Sequence, residues 1–148
     1  MATNRATALK KLATLAGTWH TTGVMLSGPA AGKQFKGTDR YEWNRSKTFL
    51  LHTWRVKMPE GMQAGIELFG FDPIRKEIFA HAYDESGTFT PSSVVFNRGK
   101  FIIRGPELYF IGSMSENGQF ISGRWLTTQD DQPVMQIKLR CDTLNHKV

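Results

Sequence analysis

The sequence predicts an all-β protein, an antiparallel up-and-down barrel of about ten strands with one short helix at its N-terminus. Three observations carry this expectation. Beyond Gly17 the chain alternates apolar and polar side chains in short runs, and no interior segment has a helical period. Turn chemistry separates the runs: Gly28-Pro29, Pro59-Glu60-Gly61, Asp72-Pro73, Ser86-Gly87, Gly105-Pro106, Glu116-Asn117-Gly118 and Asp130-Asp131. A sheet of so many strands would leave exposed edges unless it curled and closed, which favours a barrel over an open sheet.

The elements follow in order. A helix is expected over 4–16, capped by Thr3 or Asn4, because Leu9, Leu12, Ala13 and Ala16 recur at i, i+3, i+4 and i+7. Gly17 suits its end. So short a helix is marginal alone, and its apolar stripe must dock on the rest of the chain. Strands are expected over 18–26, 38–44, 48–57, 63–72, 77–84, 89–96, 100–104, 108–115, 119–127 and 134–143. Asn117-Gly118 is the strongest hairpin signal, since both residues tolerate positive φ. No linker or repeat divides the 148 residues, so 1–148 reads as one domain.

Composition narrows the function. With 40% hydrophobic residues, including 4 Trp and 10 Phe, the chain has ample material for a core or a pocket. The net charge of +6 is spread along the sequence without a run of five like charges, which argues against a nucleic-acid footprint. No segment approaches the roughly 20 apolar residues that span a bilayer, and Lys10 and Lys11 interrupt any signal-peptide core. Cys141 is the only cysteine, so an intrachain disulfide is impossible and a reducing, cytoplasmic setting is expected.

Gly17-Thr18-Trp19, at the start of the first strand after a helix, resembles the Gly-x-Trp signature of the calycin superfamily of lipocalins and fatty-acid-binding proteins. Three further blocks, Tyr41-Glu42-Trp43, Gly65 to Asp72 and His81 to Gly87, are similar to a bacterial lipocalin-like family catalogued as a domain of unknown function. So is the hairpin from Phe110 to Gly118, continuing to Gly123-Arg124-Trp125. Its usual Asp-Asp-Gly turn is here Glu116-Asn117-Gly118, and Leu126 follows the Trp. The resemblance implies a calycin-like barrel closed by the helix. It also implies that Trp19 packs at the closed end beneath a basic side chain of the last strand, Lys138 or Arg140. It brings no catalytic residues.

Alternation groups the candidate site residues by face. His52 lies with Leu50, Trp54 and Val56; Glu67 with Phe69 and Phe71; His81 with Phe79 and Tyr83. If these rows face inward, they line a cavity with Trp43, Phe110, Met114 and Trp125, and the barrel takes a small hydrophobic or amphipathic molecule. The competing expectations are a fully packed barrel, or an aromatic face between subunits of a homodimer rather than a monomer. An enzyme is the weaker expectation. No Gly-x-Ser-x-Gly elbow is present, and Glu67 with His81 is the nearest candidate acid-base pair. Gly28 to Lys33 approaches a phosphate-binding loop, but the glycine spacing is one residue short and Gln34 replaces the hydroxyl residue. His20, His52, His81 and His146 form no paired-ligand motif, so no metal is expected. No cofactor is expected either; His81 and His146 are the conceivable axial ligands of a haem. Cys141, in a row with Ile137 and Leu139, reads as a buried, inert thiol.

Overall fold

The computed structural model describes residues 4–142. It is a closed antiparallel barrel preceded by one helix, α1 (Arg5–Leu12). The strands are β1 (Gly17–Met25), β2 (Gln34–Trp43), β3 (Leu50–Met58), β4 (Gly61–Asp72), β5 (Glu77–Asp84), β6 (Phe89–Asn97), β7 (Lys100–Arg104), β8 (Leu108–Met114), β9 (Phe120–Thr127) and β10 (Pro133–Cys141). Each strand pairs with its sequence neighbours, and β1 closes the barrel against β10, from Trp19 opposite Cys141 to Met25 opposite Met135. Closure removes the edges that so long a meander would otherwise expose.

Asn4 caps α1 by accepting the amide of Thr7 at 2.8 Å. Thr3, the other expected cap, lies outside the described residues, as does position 143 at the expected end of the last strand. The α-helix stops at Leu12, and a 3₁₀ turn over Ala13–Leu15 tightens the chain before Gly17. Gly17, at φ 131°, opens β1 rather than capping the helix. Ala8, Leu12 and Leu15 are buried against the barrel end. There they join Trp19, Leu50, Phe69, Ile78, Phe101, Ile121 and Cys141 in the main core. Trp19 is sealed from solvent, and its indole N–H donates to the Leu15 carbonyl at 2.8 Å, satisfying a carbonyl at the end of the 3₁₀ turn. The expected basic lid over Trp19 does not come from Lys138 or Arg140. Strand alternation sends both outward, opposite Thr22 and His20, while Leu139 and Cys141 turn inward. Cys141 is a buried thiol.

Two local expectations are corrected. Strand β2 begins at Gln34, four residues before position 38, because the β1–β2 ladder runs out to Val24 opposite Gln34 and buries Phe35 over Gly23. In the β8–β9 hairpin only Gly118 takes positive φ, at 70°, and its amide bonds the Ser115 carbonyl at 2.9 Å. The turn in which both central residues are left-handed lies instead between β6 and β7, at Arg98 (φ 51°) and Gly99 (φ 79°), flanked by the pair Asn97–Lys100.

Candidate functional site

Four neighbouring strands converge on one charged cluster in the middle of the barrel. Strand β2 turns Asp39 and Tyr41 inward, β3 turns His52 and Trp54, β4 turns Glu67, and β1 supplies Thr21. The register sets Tyr41 opposite His52 and His52 opposite Glu67, close enough for the side chains to meet. Glu67 Oε1 lies 2.9 Å from His52 Nδ1, and Asp39 Oδ1 lies 2.6 Å from His52 Nε2. The Thr21 hydroxyl donates to the other oxygen of Asp39. The Tyr41 ring lies flat on the imidazole, with centroids 4.1 Å apart and planes 3° from parallel. His52, Asp39, Thr21 and Tyr41 are all buried, and Glu67 nearly so.

An imidazole with a carboxylate on each nitrogen donates on both sides only when it is protonated. Burial alone would lower the His52 pKa, but the hydrogen bonds to Asp39 and Glu67 and the charges of both carboxylates outweigh it and raise it to about 9. Burial holds the Tyr41 hydroxyl well above its usual pKa, and the negative charges of Asp39 and Glu67 add to that. At neutral pH the cluster therefore comprises an imidazolium between two carboxylates, roofed by a neutral phenol. Both ring nitrogens of His52 are committed, so it offers none to a metal or a substrate proton. Among the described residues no group of three or more His, Cys, Asp or Glu is arranged to hold a metal ion.

The interior is unevenly filled. At the helix end the main core occupies it, with Trp43, Phe71 and Met114 packed on that core. At the other end Phe35, Val56 and Met58, joined by Trp54 and Met135, block the side beneath β1 to β3 and β10. Across the barrel the inward positions are small: Gly65, Ala82, Thr90, Ser92, Gly112 and Gly123. Ala82, Thr90, Ser92 and Trp125 remain partly exposed although they face inward, so solvent reaches the barrel interior on this side. The glycines make room for rings. A Cβ on Gly65 would lie 2.2 Å from Trp54 Cζ2 and 2.6 Å from the Tyr83 carbonyl oxygen; one on Gly123 would lie 2.4 Å from Phe110 Cζ. Gly65→Ala is expected to cost about 1–3 kcal/mol by overpacking and to displace the Trp54 ring, measurable as a lower melting temperature with altered tryptophan emission.

The expected site residues divide into three groups. His52 and Glu67 belong to the cluster, Trp54 lies beside His52, and Trp125 borders the open side, packed on Phe110, which is itself buried in the main core. Trp43, Phe69, Phe71 and Met114 face inward but belong to the packed helix end. His81 and Tyr83 are on the outer face: His81 alternates with the buried Ala80 and packs between Phe79 and the exposed Phe89, at 4.5 and 5.4 Å. Glu67 and His81 are thus on opposite sides of the barrel wall, and the acid-base pair expected from the sequence does not form. The same placement removes His81 as an axial ligand inside the barrel; His146 lies outside the described residues. Asp39, Thr21 and Tyr41 were not foreseen. Once β2 starts at Gln34, the row Phe35, Gly37, Asp39, Tyr41 puts the aspartate on the inward face, but an expected strand from 38 hid that row.

Two clefts, of about 420 and 740 Å³, lie on the outer face of β1 to β3 and at the barrel mouth beside Lys36, Lys57 and Lys138. Neither is lined by His52, Glu67 or Asp39; of the cluster, Thr21 alone borders the first cleft.

The fold and site define a closed ten-stranded antiparallel barrel with a hydrogen-bonded charged cluster inside it. The chain matches no protein-family model and no curated protein. Among solved structures it is similar to the crystal structure of Rv2717c from M. tuberculosis, at 16% identity over 94% of this chain and 99% of that one, with a TM-score of 0.61. It is also similar to a de novo designed fluorescence-activating beta barrel, at 13% identity over 86% of this chain and 93% of the other, with a TM-score of 0.46. The likeness to Rv2717c is one of fold. No helix among the described residues is long and apolar enough to cross a membrane.

Proposed function

We propose that this protein is a lipocalin-like barrel of the calycin type that binds a small hydrophobic or amphipathic molecule inside. The observation that carries this reading is the incompletely filled interior: a hydrogen-bonded polar cluster is enclosed in a barrel whose inward-facing Ala82, Thr90, Ser92 and Trp125 keep contact with solvent. A largely apolar cavity with a few fixed polar groups is the usual form of a small-molecule site. A barrel serving only as a packed scaffold has no need of two carboxylates and a histidine in its middle, since burying such groups costs free energy that apolar side chains would not. The single cysteine, buried and with no second cysteine in the chain to pair with, supports a cytoplasmic setting.

Native mass spectrometry of the freshly purified protein, followed by a broad thermal-shift screen, tests the reading. The expected result is a retained small molecule, or a hydrophobic or amphipathic compound that raises the melting temperature in wild type and less so in Trp125→Ala. An empty barrel that responds to no compound in the screen would count against it.

A further inference from the structure

The polar cluster also indicates what kind of head group the barrel prefers, provided that the barrel binds a ligand inside as proposed above. We propose that the ligand is a cationic amphiphile, a protonated primary amine on an apolar body, with its ammonium seated against the free oxygen of Glu67.

Charge is the first argument. Asp39, His52 and Glu67 are the charged groups enclosed at this depth among the described residues. Two carboxylates against one imidazolium leave a net charge of −1. Every described arginine and lysine is exposed, apart from Lys11, whose ammonium bonds the Phe96 carbonyl below the helix. The interior thus has the opposite sign to the chain as a whole. A carboxylate ligand would meet uncompensated negative charge there and no basic side chain, whereas an ammonium would neutralise the cluster.

Unused hydrogen-bonding capacity is the second, independent argument. Both oxygens of Asp39 are engaged, by Thr21 and His52, and both nitrogens of His52 by the carboxylates. That leaves Glu67 Oε2 and the hydroxyl of Tyr41, a side chain more than nine-tenths buried and close enough to feel the Glu67 charge. Neither group has a protein partner among the described residues. Gln119 Oε1 is the sealed side-chain atom there that lacks a hydrogen bond, so the Glu67 oxygen and the Tyr41 hydroxyl both retain access to solvent. They are acceptors on the surface of the open interior, and an ammonium brings three donors. Trp54, its ring 5.5 Å from His52, adds an aromatic face of the kind that attracts a cation. Trp125, inward-facing and partly exposed, is available to the apolar body.

Isothermal titration of the full chain at pH 7 with octylamine, octanoate and octan-1-ol tests this, the three probes sharing one apolar body. An alkylammonium keeps its proton at that pH, as the lysine value of about 10.4 indicates. Octylamine is expected to bind about tenfold tighter than either partner, the scale of one hydrogen bond to a charged group. In Glu67→Gln the amine should fall to the affinity of the alcohol, while the alcohol changes little. If octanoate or octan-1-ol binds wild type as tightly as the amine, the head-group assignment is wrong and interior binding stands. If none of the three binds, interior binding fails and the assignment fails with it. The wild-type panel decides between these outcomes even if Glu67→Gln folds poorly.

Discussion

His52→Leu is expected to destabilise the protein by about 3–5 kcal/mol, the range found when one member of a buried ion pair is removed. The reason is what remains. Leucine fills much of the space, but Asp39 and Glu67 would then flank it with no cation between them, in a site where both carboxylates are largely out of water. The Tyr41 ring would also lose the flat partner it stacks on. Urea unfolding followed by tryptophan emission reads the change as a lower midpoint with an unchanged slope. The triple variant Asp39→Asn, His52→Leu, Glu67→Gln separates charge from shape. It should be more stable than His52→Leu alone, because the orphaned charges are gone. A triple variant no better than the single one, or a single variant within about 1 kcal/mol of wild type, would show that the cluster is not held as an ion network.

Stability should also fall as pH rises from neutral towards 9 and above. The folded-state pKa of His52 is raised from 6.5 to about 9, so the folded state holds a proton that the unfolded chain releases earlier. The stabilisation from this group is fully present below pH 6.5 and is lost as pH rises through about 9. A rise of that size corresponds to about 3 kcal/mol, at 1.36 kcal/mol per unit. The groups facing the imidazole are Asp39 and Tyr41 from β2 and Glu67 from β4. Tyr41 stays neutral through this window because burial and the two carboxylates hold its proton. Urea midpoints from pH 6 to pH 10 should decline across the window in wild type and much less in His52→Leu. Parallel profiles in the two proteins would assign the decline to other groups.

Much of this architecture is legible in the chain. The turn signals divide it at nearly the right places, and the period-two rows of β3 and β4 correctly group His52 with Trp54 and Glu67 with Phe69. The row of β5 is also correctly grouped, yet it faces outward. Alternation fixes which residues share a face but not which face is inside, because Phe79, His81 and Tyr83 are as apolar as an inward row. Ala80 and Ala82 across the strand are the true interior, small because the rings of other strands and the open space occupy that side.

The sequence by itself determined the strand rhythm, the closed all-β architecture and the N-terminal helix, since turn residues and side-chain alternation are local properties. Only the tertiary structure decided the site. Thr21, Asp39, His52 and Glu67 come from four strands, and their meeting depends on the register between β1, β2, β3 and β4. Shifting any one pairing by a single residue would turn its polar group to the outside. That register is set by the closure of the whole barrel, so no single stretch of the chain encodes the cluster.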